Sequence, residues 1–185
     1  MHYKQLGLSI LALFIAVQIP FVTAYAQIAV SPARTSSAAG TIDYQLAYPG
    51  LLPDNPLYFL KVIRDNLTAF FVSKPLDKAS FDLLQSDKEV EASYLLVTQE
   101  QGKNDLALRT ITQSQDYFAD AIKQTTHAKQ QGYSIMDMSK KLQEANRKHL
   151  QIVQAIGREI HQEKSQIIQN QVTRERAFAK LVKAL

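Results

Sequence analysis

From Ser134 to Leu185 the chain contains no proline and repeats its apolar side chains at helical intervals, through Leu142, Ala145, His149, Ile152, Val153, Ile156, Ile160, Ile167, Phe178 and Leu181. One uninterrupted helix over that stretch would be about 75 Å long at about 1.5 Å per residue. The two helical segments before it are near half that length. The fourth segment must therefore project past its neighbours, kink near Gly157 or break near Asn170.

The earlier segments carry their own punctuation. Asn55 followed by Pro56 reads as an N-cap with proline at the first helical position, where a missing N–H costs nothing. A first helix then runs to about Val72 and is stopped by Ser73-Lys74-Pro75. It is apolar over most of its surface (Leu57, Phe59, Leu60, Val62, Ile63, Leu67, Phe70, Phe71), so it is expected to be buried or to press on a membrane. A second helix spans Asp77 to Gln101, with Phe81, Leu84, Glu91 or Ala92, and Leu95 on one stripe and Leu83, Val90, Tyr94 and Val97 beside it. Gly102 stands where a left-handed cap is wanted. A third, capped by Asn104, carries Leu108, Ile111, Phe118, Ala121 and Ile122 to about Gln131 and ends at Gly132. The expected fold is all-α over residues 51–185: a short buried N-terminal helix, then an up-down-up antiparallel bundle with a long C-terminal helix.

Upstream, residues 1–26 read as a cleavable secretory signal. His2 and Lys4 precede the apolar run Leu6 to Val22, Pro20 interrupts its end, and Ala24-Tyr25-Ala26 supplies the small-x-small site that signal peptidase accepts. If uncleaved, the same run is at the low end of a membrane anchor. Either way residues 27–185 are expected outside the cytoplasm: periplasmic, secreted or at the cell surface. Residues 27–50, rich in Ser, Ala, Gly and Thr, read as a flexible leader. Tyr44, Tyr48, Tyr58 and Phe59 cluster around the proline-rich start of the bundle and are read as pinning that leader, an exposed aromatic patch being the alternative.

Chemistry is harder to find. The absence of cysteine excludes disulfides, thiolate metal sites and cysteine nucleophiles. No two of His2, His127, His149 and His161 stand four apart, and His161 is turned away from Glu159 and Glu163, so no metal site is expected. His149, between Ala145 and Ile152, reads as a core histidine that needs a partner for each ring nitrogen, a pH-responsive role being the minority reading. Ser80 and Ser86 lack the surroundings of a nucleophile, and six scattered glycines form no phosphate cradle. The sequon Asn66-Leu67-Thr68 falls inside an apolar helix and carries little weight.

The net charge of +4 conceals an asymmetry. Residues 77–126 hold five Lys and Arg against nine Asp and Glu, a balance of −4; residues 127–185 hold eleven against five, a balance of +6. Such opposition suits antiparallel packing and gives the C-terminal half a weak attraction to anionic lipid or polymer. Nucleic acid is not expected, since Phe178 is the lone ring near Arg174, Arg176, Lys180 and Lys183.

The stretch Pro49-Gly50-Leu51-Leu52-Pro53-Asp54-Asn55-Pro56-Leu57-Tyr58-Phe59-Leu60-Lys61 resembles the opening of an exported bacterial helical domain family of unknown function. Leu83-Leu84 with Asp87-Lys88 and Val90, and Lys148-His149-Leu150 with Ile152-Val153, are similar to its second and fourth helices. The resemblance covers about residues 48–156. It implies a secreted helical bundle, in some members the outer part of a membrane-anchored regulator. It supplies no catalytic residues, and with no cytoplasmic domain to read in this sequence it implies no signalling role.

The functional expectation is a non-enzymatic interaction or structural module of the cell envelope, without cofactor or metal. Its long fourth helix would present Ile167, Ile168, Val172, Phe178 and Leu181 to an envelope protein or to a second copy as a coiled-coil contact. The alternative is a peripheral protein that binds anionic lipid or polymer through the first helix and the basic residues Arg174, Arg176, Lys180 and Lys183.

Overall fold

The computed structural model describes residues 43–99, 103–160 and 164–185. Every regular element among them is helical: α1 (Tyr58–Phe71), α2 (Pro75–Thr98), α3 (Asn104–Gln130), α4 (Met136–Glu159) and α5 (Ser165–Lys183). The all-α class expected from the periodicity is therefore observed. The signal segment, the first part of the leader, Gly102 and His161 lie outside the described residues.

Paired contacts fix the helix directions. Ser86 meets Ser114, so α2 and α3 run antiparallel as Asp82 faces Asp120 further along. Ser80 meets Met138 and Asp87 meets His149, so α4 runs parallel to α2. Gly157 approaches Ile168 and Asn146 reaches Glu175, so α5 folds back antiparallel along α4. Gln171 bonds Thr112 and Phe178 stacks near Phe118, which places α5 beside α3.

That fold-back corrects the single long fourth helix. The chain leaves helical geometry at Ile160, whose backbone is extended, and α5 restarts at Ser165. The break falls neither at Gly157 nor at Asn170, both of which lie within helices. Gly157 serves a different purpose: a Cβ there would stand 2.7 Å from Ile168 Cγ2, so glycine allows α5 to lie close against α4.

Small residues alternate with larger ones along the buried faces of α2 and α3. Ala107, Ile111, Ser114, Phe118, Ala121, Thr125 and Ala128 repeat at alternating four- and three-residue steps along α3 and are all fully buried or nearly so. Ala79, Leu83, Ser86, Val90 and Ser93 repeat in the same way on α2. Ser86 Oγ donates to the Ser114 carbonyl and Ser114 Oγ to the Ser86 carbonyl, each at 2.8 Å. Side chains this short let two backbones approach, and the paired hydroxyls leave no buried polar atom unmatched there. On α2, Leu84, expected on the buried stripe, is 41% exposed.

Gly132 takes the left-handed conformation with φ 84°, as its place after α3 predicts. Asn104 does not act as a cap; it is the first helical residue, behind Lys103. Asn55 does accept the Leu57 amide at 2.9 Å, and one tight turn over Asn55–Tyr58 leads into α1.

Candidate functional site

Two regions hold polar or apolar groups where a simple bundle would not. The first lies inside it. At one level of the four-helix core sit Ser86 and Asp87 of α2, Ser114 and Gln115 of α3, Asn146 and His149 of α4, and Glu175 of α5, all buried. This belt divides two apolar clusters, one around Leu83, Phe118, Leu142 and Phe178, the other around Val90, Ile111, Val153, Ile156 and Ile168.

The belt is closely connected. His149 Nε2 lies 2.7 Å from Asp87 Oδ1, and the Tyr44 hydroxyl donates to Asp87 Oδ2 at 2.7 Å. Burial and the facing Asp87 carboxylate hold the Tyr44 phenol well above its ordinary pKa, which keeps it a donor. Glu175 accepts from Gln115 Nε2 at 2.9 Å and from Asn146 Nδ2 at 3.0 Å. Burial raises the Glu175 carboxyl, against the opposing pull of His149 and those two amides. His149 thus gains one of its two partners: Nδ1 and Gln115 Oε1 find none among the described residues. Its ring is wholly out of water, with the Phe118 ring centred 5.3 Å away in edge-on geometry. Sliding any of these helices by a turn would strand a buried carboxylate or amide, which disfavours other registers.

Through Tyr44 the belt also fastens the segment before α1. Tyr44 packs on one apolar cluster and Leu46 on the other, so the later part of the leader lies along the bundle. Of the four aromatic residues read as pins, Tyr44 ties down the segment before α1 and Tyr58 holds α1 itself, whereas Tyr48 is 82% exposed and Phe59 also faces solvent.

The second region is α1, whose orientation reverses the buried helix expected from its composition. Its buried residues are Lys61 and Asp65. Lys61 Nζ donates to Glu89 Oε1 of α2 at 2.8 Å, and the Tyr58 hydroxyl donates to the same carboxylate at 3.2 Å. Burial and Glu89 raise the Tyr58 phenol far above its usual range. Lys88 joins this face with its ammonium pKa lowered, chiefly by burial, against the attraction of Asp65. Tyr58, Lys61 and Asp65 stand at helical spacing, so one face of α1 is committed to the bundle through polar groups.

The opposite face is therefore apolar and outward. Phe59, Ile63, Leu67 and Phe70 follow one another by four, four and three residues, with Leu60 and Phe71 alongside, and all six are more than half exposed. Phe70 and Phe71 pack edge to face with ring centres 5.4 Å apart, at the C-terminal end of the stripe. The physical reason is the partner surface: Glu89 is a buried carboxylate that needs a cation and hydrogen-bond donors, and Lys61 and Tyr58 supply them together from one face of α1.

The residues expected on a partner-facing fourth helix separate. Ile168, Val172 and Phe178 are buried in this chain's own core, against α3 and α4, because α5 folds back instead of projecting. Ile167 and Leu181 remain exposed. The basic residues separate too: Arg174 pairs with Asp116 at 2.7 Å and lies over the Phe178 ring, while Arg176, Lys180 and Lys183 face solvent. α1 is held by Glu89 of α2, whereas α5 is held by Gln115, Asp116 and Asn146 of α3 and α4. The described contacts do not bring the first helix and the basic C-terminal residues onto one face.

Where α1 ends, a cleft of about 620 Å³ opens between the α1–α2 link and α3, lined by Ser73, Lys78, Lys123, Gln124 and His127 among others. Among the described residues no cluster of His, Asp and Glu could hold a metal ion, and no helix is long and apolar enough to cross a membrane. No protein-family model, no curated protein and no solved structure matches the chain.

Proposed function

We propose that this chain is a non-catalytic, extracytoplasmic helical module of the cell envelope that docks on a membrane surface through the outward face of α1. The bundle, of up-down-up type with a folded-back C-terminal helix, is the rigid body that carries it. One observation bears most of the weight: six large apolar side chains stand more than half exposed on one face of a helix that buries Lys61 and Asp65, with the exposed Arg64 at the edge of that face. A contiguous apolar surface of that kind marks an interaction site. At 14 residues α1 is about 21 Å long, short of the roughly 30 Å hydrocarbon core, so it suits lying in the interface and not crossing it.

The lipid reading is favoured over a coiled-coil partner on the fourth segment, since three of the five residues offered for that contact are core residues. The test is co-sedimentation of the protein, as exported, with phospholipid vesicles. Wild type is expected to partition onto them, and Ile63→Ser with Phe70→Ser to lose most of that binding without loss of helix content. Retention of full binding by the double variant would remove α1 from the reading. Absence of binding by wild type would point instead to a protein occupant of the same face.

A further inference from the structure

The cleft at the end of α1 has a chemistry of its own. Lys78 of α2 and Lys123 and His127 of α3 converge on it, with Ser73 and the amides of Gln124 and Gln130, and no acidic side chain lines it. Among the described residues neither Lys78 nor Lys123 is held in an ion pair. Asp82 and Asp120 lie about a turn away along their helices, outside the lining; Asp82 feels Asp120 and the attraction of Lys78. Two ammonium groups that share one concavity with no carboxylate in direct contact repel each other and attract an anion. The donors present, which are ammonium, imidazole, hydroxyl and amide, are those that hold phosphate oxygens.

Position supplies the second half of the argument. Ser73 follows Phe71 by two residues, so the cleft opens beside the most exposed end of the apolar stripe, where Phe70 and Phe71 are 81% and 72% exposed. An apolar face ending at a cationic concavity matches a phospholipid, apolar below its headgroup and anionic at it.

We propose that this cleft holds the phosphate of an anionic phospholipid headgroup while the apolar face of α1 lies in the acyl region beside it. The proposal rests on the membrane-docking reading of α1, and supplies it with lipid selectivity. The bundle would then sit with α1 and the link to α2 toward the bilayer, leaving α5 free of it.

Vesicle flotation of the exported protein separates the possibilities. Wild type is expected to bind phosphatidylcholine vesicles containing phosphatidylglycerol more tightly than phosphatidylcholine alone. Lys78→Gln with Lys123→Gln should lose that preference, by about fivefold per lysine, and keep the weaker binding to phosphatidylcholine. A charge-matched control, Lys140→Gln with Lys141→Gln, alters exposed lysines away from the cleft and should keep the preference. Equal loss in both double variants would mean diffuse charge and overturn the cleft. So would equal wild-type binding to the two vesicle types. If inorganic phosphate alone shifts the His127 resonances while phosphatidylglycerol gives no preference, the ligand is free phosphate and the lipid source is wrong. No binding to either vesicle type would take down the α1 reading itself.

Discussion

Lys61 donates to Glu89 across 2.8 Å with both side chains almost wholly out of water, and this pair turns α1 so that its apolar face points away from the bundle. Breaking a buried pair by removing one partner costs about 3–5 kcal/mol, because the other charge stays buried alone. A 14-residue helix resting on a few side chains holds less than that, so Lys61→Met should release α1 before the bundle unfolds. Hydrogen exchange should show amide protection lost across Tyr58–Phe71 with the global urea midpoint little changed. Lys61→Met with Glu89→Leu replaces the pair by apolar contact and should restore protection. Full protection in the single variant would mean that α1 is held by something other than this pair.

Asp82 should make the fold less stable as pH rises. Its carboxyl is pushed up to about 6 by burial first and by Asp120 second, against the pull of Lys78. The folded pKa lies above the unfolded value, so the native state holds the proton longer and its advantage fades between the ordinary value of 3.8 and about 6. Glu175, raised by burial, acts in the same direction. Asp82→Asn should therefore stabilise the protein above that window, by about 1 kcal/mol once partial exposure is allowed for. Below it the gain should vanish. Urea unfolding of wild type and variant across the window reads both; a gain independent of pH would contradict the assignment.

Gly157→Ala should destabilise in spite of alanine's better helix propensity. The new Cβ would fall 2.7 Å from Ile168 Cγ2, a methyl on a β-branched carbon with little freedom to move. Overpacking costs about 1–3 kcal/mol and propensity returns up to about 1 kcal/mol, leaving a net loss near 1 kcal/mol. Adding Ile168→Ala removes the clash, so the double variant should lose less than the two single losses added together. Strict additivity would show that α4 and α5 do not meet at this point.

Phe178 and Leu181 stand close together on α5 yet should respond in opposite ways. Phe178 is buried against Phe118, with ring centres 5.3 Å apart, and Leu181 is 53% exposed. Phe178→Ala should cost about 3–5 kcal/mol and lower the thermal midpoint sharply. Leu181→Ala should stay within about 0.5 kcal/mol. Comparable small effects would place α5 outside the core.

The helices themselves were legible from periodicity, and Gly132 was legible as a stop because only a residue without a Cβ is at ease at positive φ. The outward face of α1 was half legible. Phe59, Ile63, Leu67 and Phe70 define a stripe and Tyr58, Lys61 and Asp65 its opposite, but composition weighted the helix toward burial. The polar belt left a fainter trace: Asp87, Asn146 and Glu175 each look like ordinary solvent-facing positions until a partner helix is placed beside them. His149 was the one member whose setting among apolar residues gave it away. Ala107, Ser114, Ala121, Thr125 and Ala128 carry too little apolar surface to stand out in a hydrophobic pattern, so only packing sets their shared face apart.

What the sequence determined by itself was local: helical segments, their approximate ends, the apolar character of α1 and the absence of thiol chemistry. These follow from backbone preference and from spacing along one helix, which a single chain segment already contains. The tertiary structure alone decided which face of α1 turns inward, where the fourth segment breaks, and that Ile168, Val172 and Phe178 belong to the core. Those outcomes depend on pairing across long sequence separations: Glu89 waits for Lys61, Asp87 for His149 and Tyr44, and Gly157 for Ile168. A buried charge costs several kcal/mol until its partner arrives, so the partner, and not the average hydrophobicity of a segment, selects the side that is buried.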